Sequence, residues 1–177
     1  GRRFKVSGYP TVVLFSAEGT ELTRLPGEAD VDQVMGVLQL GLAGGRPVKA
    51  VLADALAGKA LGANEWRLLA FYSWDTDDQQ LLPRADVPGT LVQLAAASAA
   101  AKNGDSETTT RLWLKALAAS DEGQGVKADA ALRERVHRVL ADPVQARTQM
   151  DSLTGGAAEI VRVLQAEPGP ARAALVA

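Results

Sequence analysis

Every convincing β-type run in this chain lies before Gly27, and everything after the break Gly41-Leu42-Ala43-Gly44-Gly45-Arg46 reads as helix. That division constrains the fold more than any single motif. Neighbouring strands must pair locally, whereas a long run of helices must bury its apolar stripes against itself. The break has the glycine density of a linker. The chain therefore divides into residues 1–42, with strands and one helix, and residues 47–177, a helical domain.

In the first part, Thr11-Val12-Val13-Leu14-Phe15 is apolar without alternation, which suits a strand covered on both faces. Ala17-Glu18-Gly19-Thr20 reads as a turn, with Gly19 free to take positive φ. Glu21-Leu22-Thr23-Arg24-Leu25 alternates polar and apolar, as a half-covered strand does. The two strands and the turn form a predicted β-hairpin, ended by Pro26-Gly27. Asp30 with Gln33 then fits a capping box, and Val31, Val34, Met35 and Leu38 fall on one face of the helix that follows.

The second part gives about seven helical segments by the spacing of apolar residues. Pro47 suits a first helical position, with Val48, Val51, Leu52 and Ala55 on one face. Asn64 is placed to cap a segment carrying Leu68, Leu69 and Tyr72. Later stripes are Trp113, Leu114 and Leu117; Leu132, Val136, Val139 and Leu140; and Ala157, Ile160, Val161 and Leu164. Short connections predict antiparallel neighbours, and abundant alanine favours helix and close approach. No tetratricopeptide or HEAT consensus is visible, so a helical array and a compact bundle both fit.

Composition removes several function classes. Lys+Arg total 19 against Asp+Glu 21, without the basic excess of a nucleic-acid binder. No run of about 18 apolar residues is present to span a membrane. With no cysteine, the chain itself holds no disulfide, thiolate nucleophile or cysteine-ligated metal. The lone His137, among Arg133, Glu134, Arg135 and Arg138, reads as part of a solvated face, with Glu134 and Arg138 paired at i, i+4. Asp75, Asp77 and Asp78 follow Trp74 but lack the glycine and distal glutamate of a calcium loop. Trp66, Phe71, Tyr72, Trp74 and Trp113 read as core members, with a peptide groove as the alternative. No metal, cofactor or phosphate-loop signature is found.

Val6-Ser7-Gly8-Tyr9-Pro10-Thr11-Val12-Val13-Leu14-Phe15, then Gly19-Thr20-Glu21-Leu22 and Arg24-Leu25-Pro26-Gly27, resembles the second half of the thioredoxin family. The resemblance covers residues 4–42. It implies an α/β plus all-α chain, in which the C-terminal portion of a thioredoxin-like fold (β-hairpin plus helix) precedes an alanine-rich antiparallel helical domain. It implies that Pro10 is a cis-proline and that Tyr9, Pro10 and Thr11 bind a protein or peptide substrate as an added strand. The family's Cys-x-x-Cys lies upstream of that proline, before Gly1 here, so no catalytic residue falls within this chain.

Two functions are expected on this basis: part of a thiol-disulfide oxidoreductase or redox relay with its cysteines upstream, or a non-catalytic binding module whose helical domain docks a protein partner. A purely structural or stress-related envelope protein of no enzymatic type is the third reading. By analogy with the family, a bacterial envelope or periplasm is favoured over the cytoplasm.

Overall fold

The computed structural model describes residues 11–26, 31–42, 44–77, 81–120, 126 and 129–165. Strands β1 (Thr11–Phe15) and β2 (Glu21–Pro26) pair antiparallel. The turn between them is the predicted one. Gly19 takes φ 81°, its amide donates to the Ser16 carbonyl at 3.0 Å, and the Ser16 amide donates to the Thr20 carbonyl at 2.8 Å. Helices follow: α1 (Val31–Leu42), α2 (Val48–Leu56), α3 (Ala63–Phe71), α4 (Val87–Ala100), α5 (Ser106–Ala119), α6 (Ala130–Ala141), α7 (Pro143–Thr148), α8 (Met150–Gly155) and α9 (Ala157–Gln165). The architecture is thus a two-stranded antiparallel sheet joined to a helical assembly, with no strand after β2 among the described residues.

The alternation in β2 does not mark a half-covered strand: Thr23, Arg24 and Leu25 are all buried. One face, with Val12, Leu14, Thr23 and Leu25, closes on Val34, Val37 and Leu38 of α1. The other carries Arg24 toward the helices. A bulge between Leu14 and Phe15 explains how that is tolerated. Val13 opposes Arg24 and Leu14 opposes Thr23, but Phe15 opposes Glu21, leaving Leu22 as the extra residue. The extra residue brings Glu21 onto the face of Arg24. The Arg24 guanidinium then donates from Nε to Glu21 Oε1 at 2.7 Å and from Nη2 to Oε2 at 2.9 Å. Its Nη1 donates to the Thr76 carbonyl at 3.3 Å, and Asp77 lies 3.9 Å away. The Ser73 amide donates to the Arg24 carbonyl at 3.0 Å, so the hairpin joins the segment after α3 through backbone and side chain alike.

Hairpin and helices share one hydrophobic cluster, from Leu25 and Val37 through Val51, Leu69, Leu91, Leu112 and Leu117 to Val163. The stripe of α2 is as predicted, with Val48, Val51, Leu52 and Ala55 buried. Other stripes are shifted. In α1, Val31 is 76% and Met35 49% exposed, and Val37 is the buried residue. Leu140 and Val161 are exposed, and Val163 is buried instead. Asn64 does not cap α3. The helix begins at Ala63, and Glu65 accepts a hydrogen bond from the Gly62 amide at 2.9 Å. Pro47 sits just before α2 rather than inside it. Helix α1 continues through Gly41 and Leu42, so the break is shorter than the glycines suggest, and Gly44 takes φ 77° within it. Asp30 lies outside the described residues.

Helices α4 and α5 make the most extensive helix pair, turning back on each other across residues 101–105. Asp105 caps α5 by accepting from the Thr108 amide at 2.7 Å. Ser98 and Thr109 share a buried hydroxyl hydrogen bond of 2.8 Å between the two helices. Gly104 packs so tightly that a Cβ there would collide with the Ser98 carbonyl.

Two outcomes follow. Glu21→Ala leaves the Arg24 guanidinium buried with much of its neutralising charge removed, and should lower stability by about 3 kcal/mol or more in urea unfolding. Gly104→Ala must push α5 off α4 and should cost about 1–3 kcal/mol by the same measurement.

Candidate functional site

Of the residues that the sequence marks for substrate binding, Tyr9 and Pro10 lie outside the described residues. Thr11 opens β1 and is half-buried. His137 sits part-exposed on α6, and Arg138 Nη2 donates to Glu134 at 3.3 Å beside it, as the spacing predicts. Asp75 and Asp77 serve as hydrogen-bond acceptors, for Ser73 Oγ at 3.0 Å and the Leu81 amide at 3.0 Å. Among the described residues no group of three or more acidic or imidazole side chains is placed to hold a metal ion. Trp66, Phe71, Tyr72 and Trp74 are core members, with Tyr72 and Trp74 edge-to-face at 4.9 Å between ring centroids.

The constellation that the structure assembles is a different one. A broad groove of about 1990 Å³ runs between the α3 end, α4, α5 and the α7–α8 corner. Phe71, Trp74, Val87 and Met150 supply apolar lining, Arg67, Arg84, Arg147 and Lys115 supply positive charge, and Asp32, Asp75, Asp77, Glu107 and Asp151 bring carboxylates to the same lining. Behind it lies Arg111, 1% exposed. Its guanidinium stacks on the Phe71 ring at 4.1 Å from the centroid, donates to Gln149 Oε1 at 3.2 Å and pairs with Asp151. Gln149, also buried, returns a hydrogen bond from Nε2 to the Glu107 carbonyl at 3.1 Å. The start of α8 is thereby fastened to the start of α5.

Lys115 stands one turn beyond Arg111 on α5, at the groove wall. Its Nζ donates at 2.6 Å to the Tyr72 carbonyl at the end of α3, to which the Trp74 amide also donates at 3.1 Å. Burial pulls the Lys115 amine down to about 7, and the neighbouring Arg111 charge adds to that, against opposing pulls from Asp151 and Asp75. Burial also pushes the Tyr72 phenol far above its usual value, with the Asp77 carboxylate acting in the same direction.

None of Arg24, Arg111, Lys115, Gln149 and Asp151 stands out in the sequence. One signal was present: Arg111-Leu112-Trp113-Leu114-Lys115 places two cations at i, i+4 around an apolar triplet. A like-charge pair at that spacing is unfavourable unless something else holds it.

No family model matches the chain, and comparison with curated proteins and with solved structures gives no match either. No described helix is long and apolar enough to cross a membrane.

The depressed Lys115 amine makes stability depend on pH with a definite sign. Between its folded value of about 7 and an unfolded value of about 10.4, the unfolded chain binds more protons, so this group's contribution rises with pH. The stability difference between wild type and Lys115→Met should therefore shift toward wild type as pH rises through that window. Urea unfolding at several pH values reads this directly, and parallel curves would contradict the assignment.

Proposed function

We propose that the chain is the closing part of a thioredoxin-like thiol-disulfide oxidoreductase or redox relay, with the redox cysteines contributed from before Gly1. The observation that carries this reading is the order of parts: an antiparallel hairpin entered directly after Tyr9-Pro10, then a helix laid across one face of it. Val12, Val31 and Met35 leave apolar surface exposed on β1 and α1, where the rest of such a domain would pack. In this reading Tyr9, Pro10 and Thr11 present backbone groups to an extended substrate peptide.

The groove favours a second reading. At about 1990 Å³ it is larger than the usual small-molecule pocket, and Phe71 and Trp74 are in its lining. It suits a segment of a protein partner, so the helical domain would act as a binding module with or without redox chemistry.

The parent gene separates the two. The redox reading expects a Cys-x-x-Cys before Gly1. The protein that includes it should then reduce insulin disulfides, lose this when the cysteines become serine, and accumulate mixed disulfides as Pro10→Ala. A parent without that motif, or one inactive toward disulfides, overturns the oxidoreductase reading and leaves the binding module.

A further inference from the structure

We propose that Asn103 is a site of spontaneous modification: when the turn between α4 and α5 opens, its side chain deamidates through attack by the Gly104 amide, and the isoaspartate that forms keeps the turn from closing again. This site is independent of both functional readings, because it uses only α4, α5, the turn between them and Leu61.

Reactivity is present in the sequence and imposed by the packing. The chain has two asparagines, Asn64 and Asn103. Asn64 precedes Glu65, whose side chain crowds the main-chain nitrogen that would have to attack. Asn103 precedes Gly104, which has no side chain and crowds that nitrogen least. Glycine is not replaceable at this position. A Cβ on residue 104 would collide with the Ser98 carbonyl, so the close approach of the turn to α4 demands the very residue that makes Asn103 labile.

The closed turn holds each reacting group on another partner. The Asn103 carboxamide nitrogen donates to the Leu61 carbonyl at 3.2 Å, which draws the side chain toward the segment before α3. The Gly104 amide donates to the Ala101 carbonyl at 3.2 Å, so its proton is engaged as well. Both flanks of the turn are anchored. Asp105 caps α5 by accepting from the Thr108 amide, and Ser98 on α4 shares its buried hydroxyl bond with Thr109 on α5. Asn103 itself is exposed, so water reaches it and the restraint is one of geometry rather than access. Opening of the turn frees both groups at once.

The reaction closes in atoms and electrons with water as co-reactant. Hydroxide removes the Gly104 N–H proton, and the nitrogen lone pair forms a bond to the Asn103 carboxamide carbon. The bond from that carbon to the side-chain nitrogen breaks, and the nitrogen takes up a proton and leaves as ammonia. A cyclic imide remains. Water opens it at the side-chain carbonyl to give aspartate, or at the main-chain carbonyl to give isoaspartate, whose main chain runs through the β-carbon. No oxidant or reductant is consumed. Either product loses the nitrogen that bonds Leu61. Isoaspartate also lengthens the main chain beside Gly104, where the contact with Ser98 leaves no room for a displacement.

The test follows Asn103 in the full chain, incubated at mildly alkaline pH and mapped by mass spectrometry of peptides made in acid, which stops the reaction. Conversion should be at least about tenfold slower in the native chain than in the urea-unfolded chain, and urea below the unfolding transition should already raise the native rate. The purified isoaspartate form should fail to refold or should unfold at lower urea than Asn103→Asp, which should itself unfold at lower urea than wild type. Negligible conversion in the unfolded chain overturns the site. A native rate equal to the unfolded one, or one that urea leaves flat up to the transition, overturns the gating by the turn. An isoaspartate form as stable as Asn103→Asp shows that the lengthened chain still closes and overturns the trap.

Discussion

The buried guanidinium of Arg24 is the constraint around which the two parts of the chain are arranged. A charge with no exposed surface is tolerated only when paired and hydrogen-bonded. Here the pairing needs three separate features at once: a bulge that turns Glu21 to the same face, the carbonyl of Thr76, and Asp77 nearby. Remove the segment after α3 and the hairpin would hold a cation against open apolar surface. Remove the hairpin and Ser73 would lose its amide partner and Asp77 its cation. The ion pair adds little net stability in itself, but it specifies where β2 must dock.

Arg111 repeats this logic deeper in the helical region. Phe71 gives it a ring face, Gln149 an oxygen and Asp151 a charge, so α3, α5 and α8 are held in one relative position. Lys115 inherits its properties from that knot. Because Arg111 cannot swing away, its charge stays beside the Lys115 amine, and because Asp151 is taken, the amine lacks the counterion that would keep it protonated. An interaction that fastens helices thus also sets the chemistry of a neighbour at the groove wall.

The hairpin was legible in the sequence because its determinants are local. Gly19 supplies the turn, with the apolar run Thr11–Phe15 before it and the alternating run Glu21–Leu25 after it. The helices were legible as elements, but their buried faces less so: Val31, Met35, Leu140 and Val161 are apolar residues at helical spacing that nevertheless meet solvent. Periodicity reports that a face is apolar and not which part of it a neighbour covers. The polar knots were not legible at all. Arg24 reaches Thr76 across 52 positions, Arg111 reaches Asp151 across 40, and Lys115 reaches Tyr72 across 43. In sequence Arg24 looks like the outward residue of an alternating strand, and only the segment after α3, with Ser73, Thr76 and Asp77, covers that position. Tyr9 and Pro10 are the reverse case, conspicuous in sequence and outside the described residues.

The bulge at Leu22 also bears on how such a chain can vary. In an ordinary hairpin, a one-residue change in strand length is absorbed by the turn. Here, regular pairing with Leu22 retained would set Leu22 opposite Phe15 and swing the Glu21 carboxylate to the α1 side, away from Arg24. The bulged register of β2 is therefore held by an ion pair rather than by its turn. What must persist is that Glu21 and Arg24 share a face, with the bulge or with Leu22 absent, and that shared face is a sharper signature of this hairpin than its apolar pattern.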